Sequence, residues 1–231
     1  MWSVFMSIQR NLGPGEDYQR YPRDLERDKK LAKEAGTDIL FVPSDEEIYP
    51  DSFHTYIQVE ELSKRLCGVS RPIHFRGVAT IVAKLFNIVK PTKAYFGWKD
   101  AQQLIILKKM VKDLNMDVEV VGLPTVREKD GLAISSRNKY LSKQERKIAP
   151  ILYQALVKAK KMVNSGENNS ASVLQKTKDL IKKGKGVRID YLKATNLGSY
   201  EKETTISPSC IFLPIFTLAI NLFYQFLNTN T

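Results

Sequence analysis

The sequence predicts an α/β fold in two parts. A mostly parallel sheet over residues 1–130 is followed by a smaller α+β domain over 131–206, with 207–231 set apart as an apolar tail. Three observations predict this. Short β-branched or aromatic runs alternate with helical stretches through the first half, the pattern of strand–helix–strand units. Of 231 residues, 43% are hydrophobic and 26% charged, which excludes disorder as a whole and leaves enough chain to bury a real core. After Asp130-Gly131 the character changes to amphipathic helices and one long strand.

The elements follow in order. Residues 3–6 read as a short strand, and Asn11–Asp17 as a loop by its Gly and Pro content. Pro22 opens a helical stretch with Asp24 as a cap; Leu25, Leu31 and Ala35 lie on or near one face, and Gly36 stops it. Ile39–Val42, closed by Pro43, is a continuous apolar run of the kind a buried parallel strand shows. Thr55–Val59 alternates like a strand, and Leu62–Leu66 is one or two helical turns. In Phe75–Val89 the residues Val78, Ile81, Val82, Leu85, Phe86 and Val89 recur at helical spacing, up to Pro91. Ala94–Gly97 is a strand, Ala101–Leu114 a helix, and Val118–Val121 a β-branched strand ended by Gly122 and Pro124. Ser142-Lys-Gln-Glu145 is a capping box for a helix running to about Val163. Asn164–Asn169 is a linker, Val173–Ile181 a second amphipathic helix, and Arg188–Leu197 a strand. There is no internal repeat.

Composition narrows the function. Two cysteines, Cys67 and Cys210, exclude a disulfide scaffold and a zinc knuckle, and two histidines, His54 and His74, exclude a His-rich metal site. No basic segment followed by an apolar one opens the chain, so a cytoplasmic or organelle-matrix location is expected. The net charge of +11 suits an anionic partner, or simply a lysine-rich solvated surface. The lysines are spread along helices without interleaved aromatics, which argues against nucleic acid. Residues 207–231 carry no charge, but Pro214, Thr217, Asn221 and Gln225 interrupt the apolar run, so a membrane anchor is disfavoured.

Four stretches carry candidate chemistry. Gly97-Trp98-Lys99-Asp100 follows a predicted strand and opens a helix, the place where ligands sit in open α/β sheets. There a helix N-terminus offers N–H groups to phosphate, Gly97 permits close approach, Lys99 adds a mobile charge, and Asp100 is placed to cap. The plain alternative is an ordinary strand-to-helix turn. Ile134-Ser135-Ser136-Arg137-Asn138 joins two hydroxyls and a guanidinium into a donor cluster for phosphate oxygens, though it also describes a polar loop. Gln102-Gln103 follows Lys99, and Gln103 could hold a carboxylate or hydroxyl of a second substrate. Arg71-Pro-Ile-His-Phe-Arg-Gly77 is at most an anion-binding rim, its histidine no general base.

These motifs occur together in longer runs: Gly13-Pro-Gly-Glu-Asp-Tyr-Gln-Arg-Tyr-Pro-Arg23, Glu47-Ile-Tyr-Pro50, Arg71-Pro-Ile-His-Phe-Arg-Gly-Val78, Phe96-Gly-Trp-Lys-Asp-Ala-Gln-Gln-Leu104 and Pro124-Thr-Val-Arg-Glu-Lys-Asp-Gly-Leu-Ala-Ile-Ser-Ser-Arg-Asn138. In order and spacing, from about residue 13 to about residue 197, the chain resembles the pantothenate synthetase (pantoate–β-alanine ligase) family. The resemblance implies a Rossmann-like nucleotide domain, a smaller C-terminal domain that closes the site, and a homodimer. It implies that ATP and pantoate form a pantoyl-adenylate, which the β-alanine amine attacks to release AMP, with Mg²⁺ carried on the ATP. The family's ATP contacts fall on Gly97, Trp98, Lys99, Asp100, Val126, Ile134, Ser135, Ser136 and Arg137, and its pantoate glutamine on Gln103. Lys99, Ser135, Ser136 and Arg137 are the expected catalytic residues, and no protein metal ligand is expected.

The departures from that family are as specific. No His-x-Gly-His motif, which cradles the phosphates there, occurs in the 231 residues. The resemblance implies about sixty residues missing before Met1, two strand–helix units in size, so that the first βα segment of the nucleotide domain is absent. Phe5-Met-Ser-Ile-Gln-Arg-Asn-Leu12 stands where the family has Asn-Pro-x-Gln-Phe, leaving both Gln9 and Asn11 as candidates for its glutamine. Trp98 replaces a usually polar residue. The uncharged tail from Ser207 replaces an expected final strand and a basic segment, and both ends read as a truncated or frameshifted frame. Two readings follow: the ligase, with little or no activity in this polypeptide, or a non-catalytic nucleotide-binding remnant of it.

Overall fold

The computed structural model describes residues 2–4, 24–196, 210–218, 221–224 and 227–228. The chain divides into two compact units, Met1–Lys90 and Pro91–Thr231. The change of character at residue 130 falls inside the second.

In the first unit, β1 (Trp2–Val4) pairs in parallel with β2 (Ile39–Phe41), Trp2 opposite Ile39. Helix α1 (Leu25–Glu34) connects to β2, and Asp24 caps it by accepting the Arg27 N–H at 3.1 Å. Gly36 ends it at φ +78°, a conformation costly for a side chain with a Cβ. β2 is parallel as expected, yet Ile39 is exposed, because β1 is its one hydrogen-bonded neighbour among the described residues. The capped turn α2 (Asp45–Ile48) and the short α3 (Cys67–Ser70) precede α4 (His74–Val89). The apolar stripe of α4 buries Phe75, Val78, Ile81, Val82 and Phe86. The strand expected over Thr55–Val59 does not form. The Ile57 N–H donates to the Thr80 hydroxyl of α4 at 2.9 Å, and Val59 is buried, so the alternation belongs to an extended segment bonded to a helix side chain.

The second unit opens with β3 (Lys93–Gly97), a 3₁₀ turn at Trp98–Asp100, α5 (Ala101–Asp113) and β4 (Glu119–Leu123). β3 and β4 are parallel, from Lys93 opposite Glu119 to Gly97 opposite Leu123, so their carboxyl ends coincide. α5 buries Leu104, Ile106, Leu107 and Met110 completely and exposes Lys108 and Lys109.

Past β4 the chain folds back as a short hairpin, then as three helices. These are α6 (Lys143–Ile148), α7 (Ile151–Asn164) and α8 (Ser170–Ile181). The Ser142–Glu145 capping box is present, but the single helix expected behind it is two, broken at Ala149-Pro150. Proline lacks the N–H a continuing helix needs and crowds the preceding turn. Ala149, Leu152, Ala155, Ile181 and Leu192 pack with Leu132 of the hairpin into one core; Leu156, Ala159, Val173 and Ala194 form another. β5 (Val187–Asn196) pairs antiparallel with β6 (Cys210–Leu218), Asn196 opposite Cys210 and Val187 opposite Leu218. β7 (Asn221–Tyr224) and β8 (Leu227–Asn228) pair with β6. The described residues of the uncharged tail are therefore strand in the same sheet as β5. Among the described residues no helix is long and apolar enough to cross a membrane.

Candidate active site

The first candidate group sits where β3 hands over to α5. Gly97 is extended, with φ −77° and ψ 136°, and Trp98–Asp100 form one turn before the helix. Among the described residues, a Cβ built on Gly97 would touch only the Lys99 nitrogen, at 3.9 Å, so their packing does not demand glycine there. At Gly122 the reverse holds. A Cβ would come within 2.7 Å of both Trp98 Nε1 and Leu104 Cδ2. The indole of Trp98 lies on the bare backbone of β4, with the Lys108 ammonium 6.0 Å from its ring centre. Lys99 Nζ stands 3.7 Å from Asp100 Oδ2. Asp100 occupies the N-cap position of α5 but its carboxylate makes no capping bond, contrary to the sequence expectation, because it turns toward Lys99. Gln103 lies in the first turn of α5, half-buried, beside the buried Gln102.

The second group is carried by the hairpin after β4. Arg127 bridges Ala133, the Ile134 N–H donates to the Val126 carbonyl at 3.0 Å, and the Glu128 N–H to the Leu132 carbonyl at 2.8 Å. This register sets Val126 opposite Ile134, so their side chains share a face. Both are exposed, by 69% and 54%, although both are apolar. Ser135 caps the 3₁₀ turn Ser136–Tyr140, its hydroxyl oxygen accepting the Arg137 N–H at 3.3 Å. The Ser135 O–H remains able to donate. Asn138 Nδ2 donates to the Ala133 carbonyl at 3.0 Å and ties this turn to the hairpin.

The two groups leave the same edge. Gly97 is opposite Leu123, and Val126 follows Leu123 by three residues, at most about 11 Å of chain. A family model described as pantoate–β-alanine ligase matches residues 1–223. The chain belongs to that family.

Its relatives agree. The pantothenate synthetase of Caldicellulosiruptor bescii is 55% identical over 200 residues, 86% of this chain and 70% of that one. The Ruminiclostridium cellulolyticum pantothenate synthetase is 47% identical over 97% of this chain and 80% of its own length. Among solved structures, the Thermus thermophilus pantothenate synthetase superposes with a TM-score of 0.96 at 42% identity, covering all of this chain and 83% of that one. The Francisella tularensis pantoate–β-alanine ligase, complexed with β,γ ATP and β-alanine, gives a TM-score of 0.72 at 30% identity over 93% of this chain and 74% of its own. The fold is thus the Rossmann-like one of this family, with a C-terminal domain, and the family is one of ATP-using enzymes that join pantoate to β-alanine.

For a pantoate ligase, the structure adds residues the sequence reading passed over. The Thr125 hydroxyl, next to Val126, is buried without a hydrogen-bond partner among the described residues, as is Asn138 Oδ1. Arg127 lies 4.1 Å over the Tyr153 ring of α7, its NH1 donating to the Gly131 carbonyl at 3.2 Å, and burial pulls its guanidinium below the ordinary value. Arg146 of α6 reaches Glu128 and Asp130, each at 2.5 Å, and the bond from Arg146 holds the Asp130 carboxyl below the usual range. The one sequence sign of these contacts was the Asp130-Gly131 turn dipeptide. Gln9 and Asn11 lie outside the described residues.

Proposed function

We propose that Gly97, Trp98, Lys99, Asp100, Val126 and Ile134–Arg137 form the ATP site of a pantoate–β-alanine ligase, with Gln103 on pantoate. The observation that carries this is the register of β3 and β4, whose coincident carboxyl ends send both groups out from one edge. The open space at Gly97 lets a phosphate approach the backbone, and the exposed Val126–Ile134 pair offers an apolar face to a purine. Trp98, its ring spent on Gly122, contributes backbone.

Adenylation asks the protein for alignment and for charge stabilisation. A carboxylate oxygen of pantoate bonds to the α-phosphorus as the bond to the pyrophosphate oxygen breaks. Lys99 and Arg137 balance the charge gathering on the phosphate oxygens, and Ser135 and Ser136 donate hydrogen bonds to them. Gln103 fixes the pantoate. The amine of β-alanine then attacks the acyl carbon, and AMP leaves. Mg²⁺ fits as an ion brought on the phosphates. The group offers one carboxylate, Asp100, half-exposed and beside Lys99, which suits a cation that keeps most of its waters. We place nucleotide and pantoate binding in residues 1–130 together with Ile134–Arg137 at the start of the 131–206 segment, closure in the rest of that segment, and the enzyme in the cytoplasm as a homodimer.

The test is AMP release by the purified polypeptide with ATP, Mg²⁺, pantoate and β-alanine, beside Lys99→Ala. AMP release by wild type, lost in the variant, is expected. Equal release by both proteins refutes the role of Lys99.

A further inference from the structure

We propose that Arg146 is a positioning residue for the nucleotide loop, and that its guanidinium sets the affinity for ATP without touching it. The proposal rests on the ATP reading above. The hairpin that carries Val126 and Ile134 is held at one end and presented at the other. At its turn, Arg146 NH2 meets Glu128 Oε2 and NH1 meets Asp130 Oδ2, each at 2.5 Å, so one planar fork spans both carboxylates. Asp130 Oδ1 accepts the Leu132 N–H at 3.2 Å, and Leu132 is completely buried in the core with Leu152 and Ile181. Gly131 adopts φ +93° against the Tyr153 ring, while Arg127 covers that ring. The other end, Val126 and Ile134, is exposed.

This arrangement has a consequence for the loop. Glu128 and Asp130 are like charges two residues apart in a tight turn, and without a shared cation they drive it open. The displacement passes to Ile134 through the two-rung ladder of Glu128–Leu132 and Val126–Ile134, and to Ser135–Arg137 through the Asn138–Ala133 bond. A lone exposed ion pair contributes little. Here one guanidinium, itself about one-third exposed, is shared between two carboxylates that are less than half exposed, and its effect is on geometry.

The experiment uses the 231-residue chain, with ATP titrated by calorimetry and amide exchange followed at Ile134 and Leu132. In Arg146→Met, ATP affinity should fall about tenfold, the scale of lost charge-assisted alignment. Exchange at Ile134 and Leu132 should quicken, while Leu156 and Ala159 of α7 keep their protection. Arg146→Lys, a point charge without the fork, should recover part of the affinity. Glu128→Gln and Asp130→Asn each remove one branch and decide the matter if Arg146→Met does not fold. ATP bound equally by wild type and these variants, or unchanged exchange at Ile134, overturns the proposal alone. A wild type that binds no ATP overturns the nucleotide reading, and the proposal with it.

Discussion

Two glycines separate what the fold requires from what the ligand requires. At Gly131 the backbone is left-handed, and a Cβ would stand 2.1 Å from Tyr153 Cδ1. Gly131→Ala therefore combines backbone strain with overpacking and should cost about 2–4 kcal/mol, read as a drop in the urea midpoint. At Gly97 the backbone suits any residue, and a Cβ meets nothing among the described residues closer than 3.9 Å. Gly97→Ala should leave the midpoint within about 0.5 kcal/mol of wild type and still weaken ATP binding, because the methyl occupies the path proposed for the phosphate. A Gly97→Ala protein that binds ATP normally counts against that path.

At the scale of elements, the ion-paired turn makes a pH prediction. Asp130 titrates below its ordinary value, held mainly by the hydrogen bond from Arg146. A depressed carboxyl stabilises the folded state fully above its unfolded value, about 3.9, and loses that contribution as pH falls through the lower folded value. Wild type should therefore exceed Asp130→Asn in urea midpoint at pH 7, and the gap should close progressively below about pH 4. The pair is half exposed, so high salt should narrow the same gap. A gap that persists at pH 2 means the turn is held by something other than this charge pair. The same turn marks the limit of what the sequence makes legible. Periodicity is enough for α4, whose stripe from Val78 to Phe86 is buried, and the Ser142–Glu145 box sits at the start of α6 as read. Thr55–Val59 misleads because a period of two reports only alternate burial, and the Ile57 N–H goes to Thr80. The break at Ala149-Pro150 was legible in Pro150 and was overrun by the apolar pattern beyond it. The contacts of Arg146 with Glu128 and Asp130 cross sixteen or more residues and leave no local trace. Gly97, Lys99 and Ser135 were visible as chemistry, whereas the shared edge of β3 and β4 that relates them emerges only from strand register.

At the scale of the whole molecule, family membership and activity are separate statements. The match over residues 1–223 and the superposition on the Thermus thermophilus enzyme establish the fold and the reaction class. Turnover requires stabilised charge on the phosphates, the work proposed for Lys99 and Arg137. Nucleotide binding is the property common to both functional readings, so it is the property to measure first. The most direct measurement is calorimetric titration of ATP with Mg²⁺ into wild type, Lys99→Ala and Arg137→Ala. The account predicts saturable binding by wild type and at least about tenfold weaker binding by each variant, since each removes a charged partner of the phosphates. Equal affinity in all three proteins, or no binding by any, contradicts it.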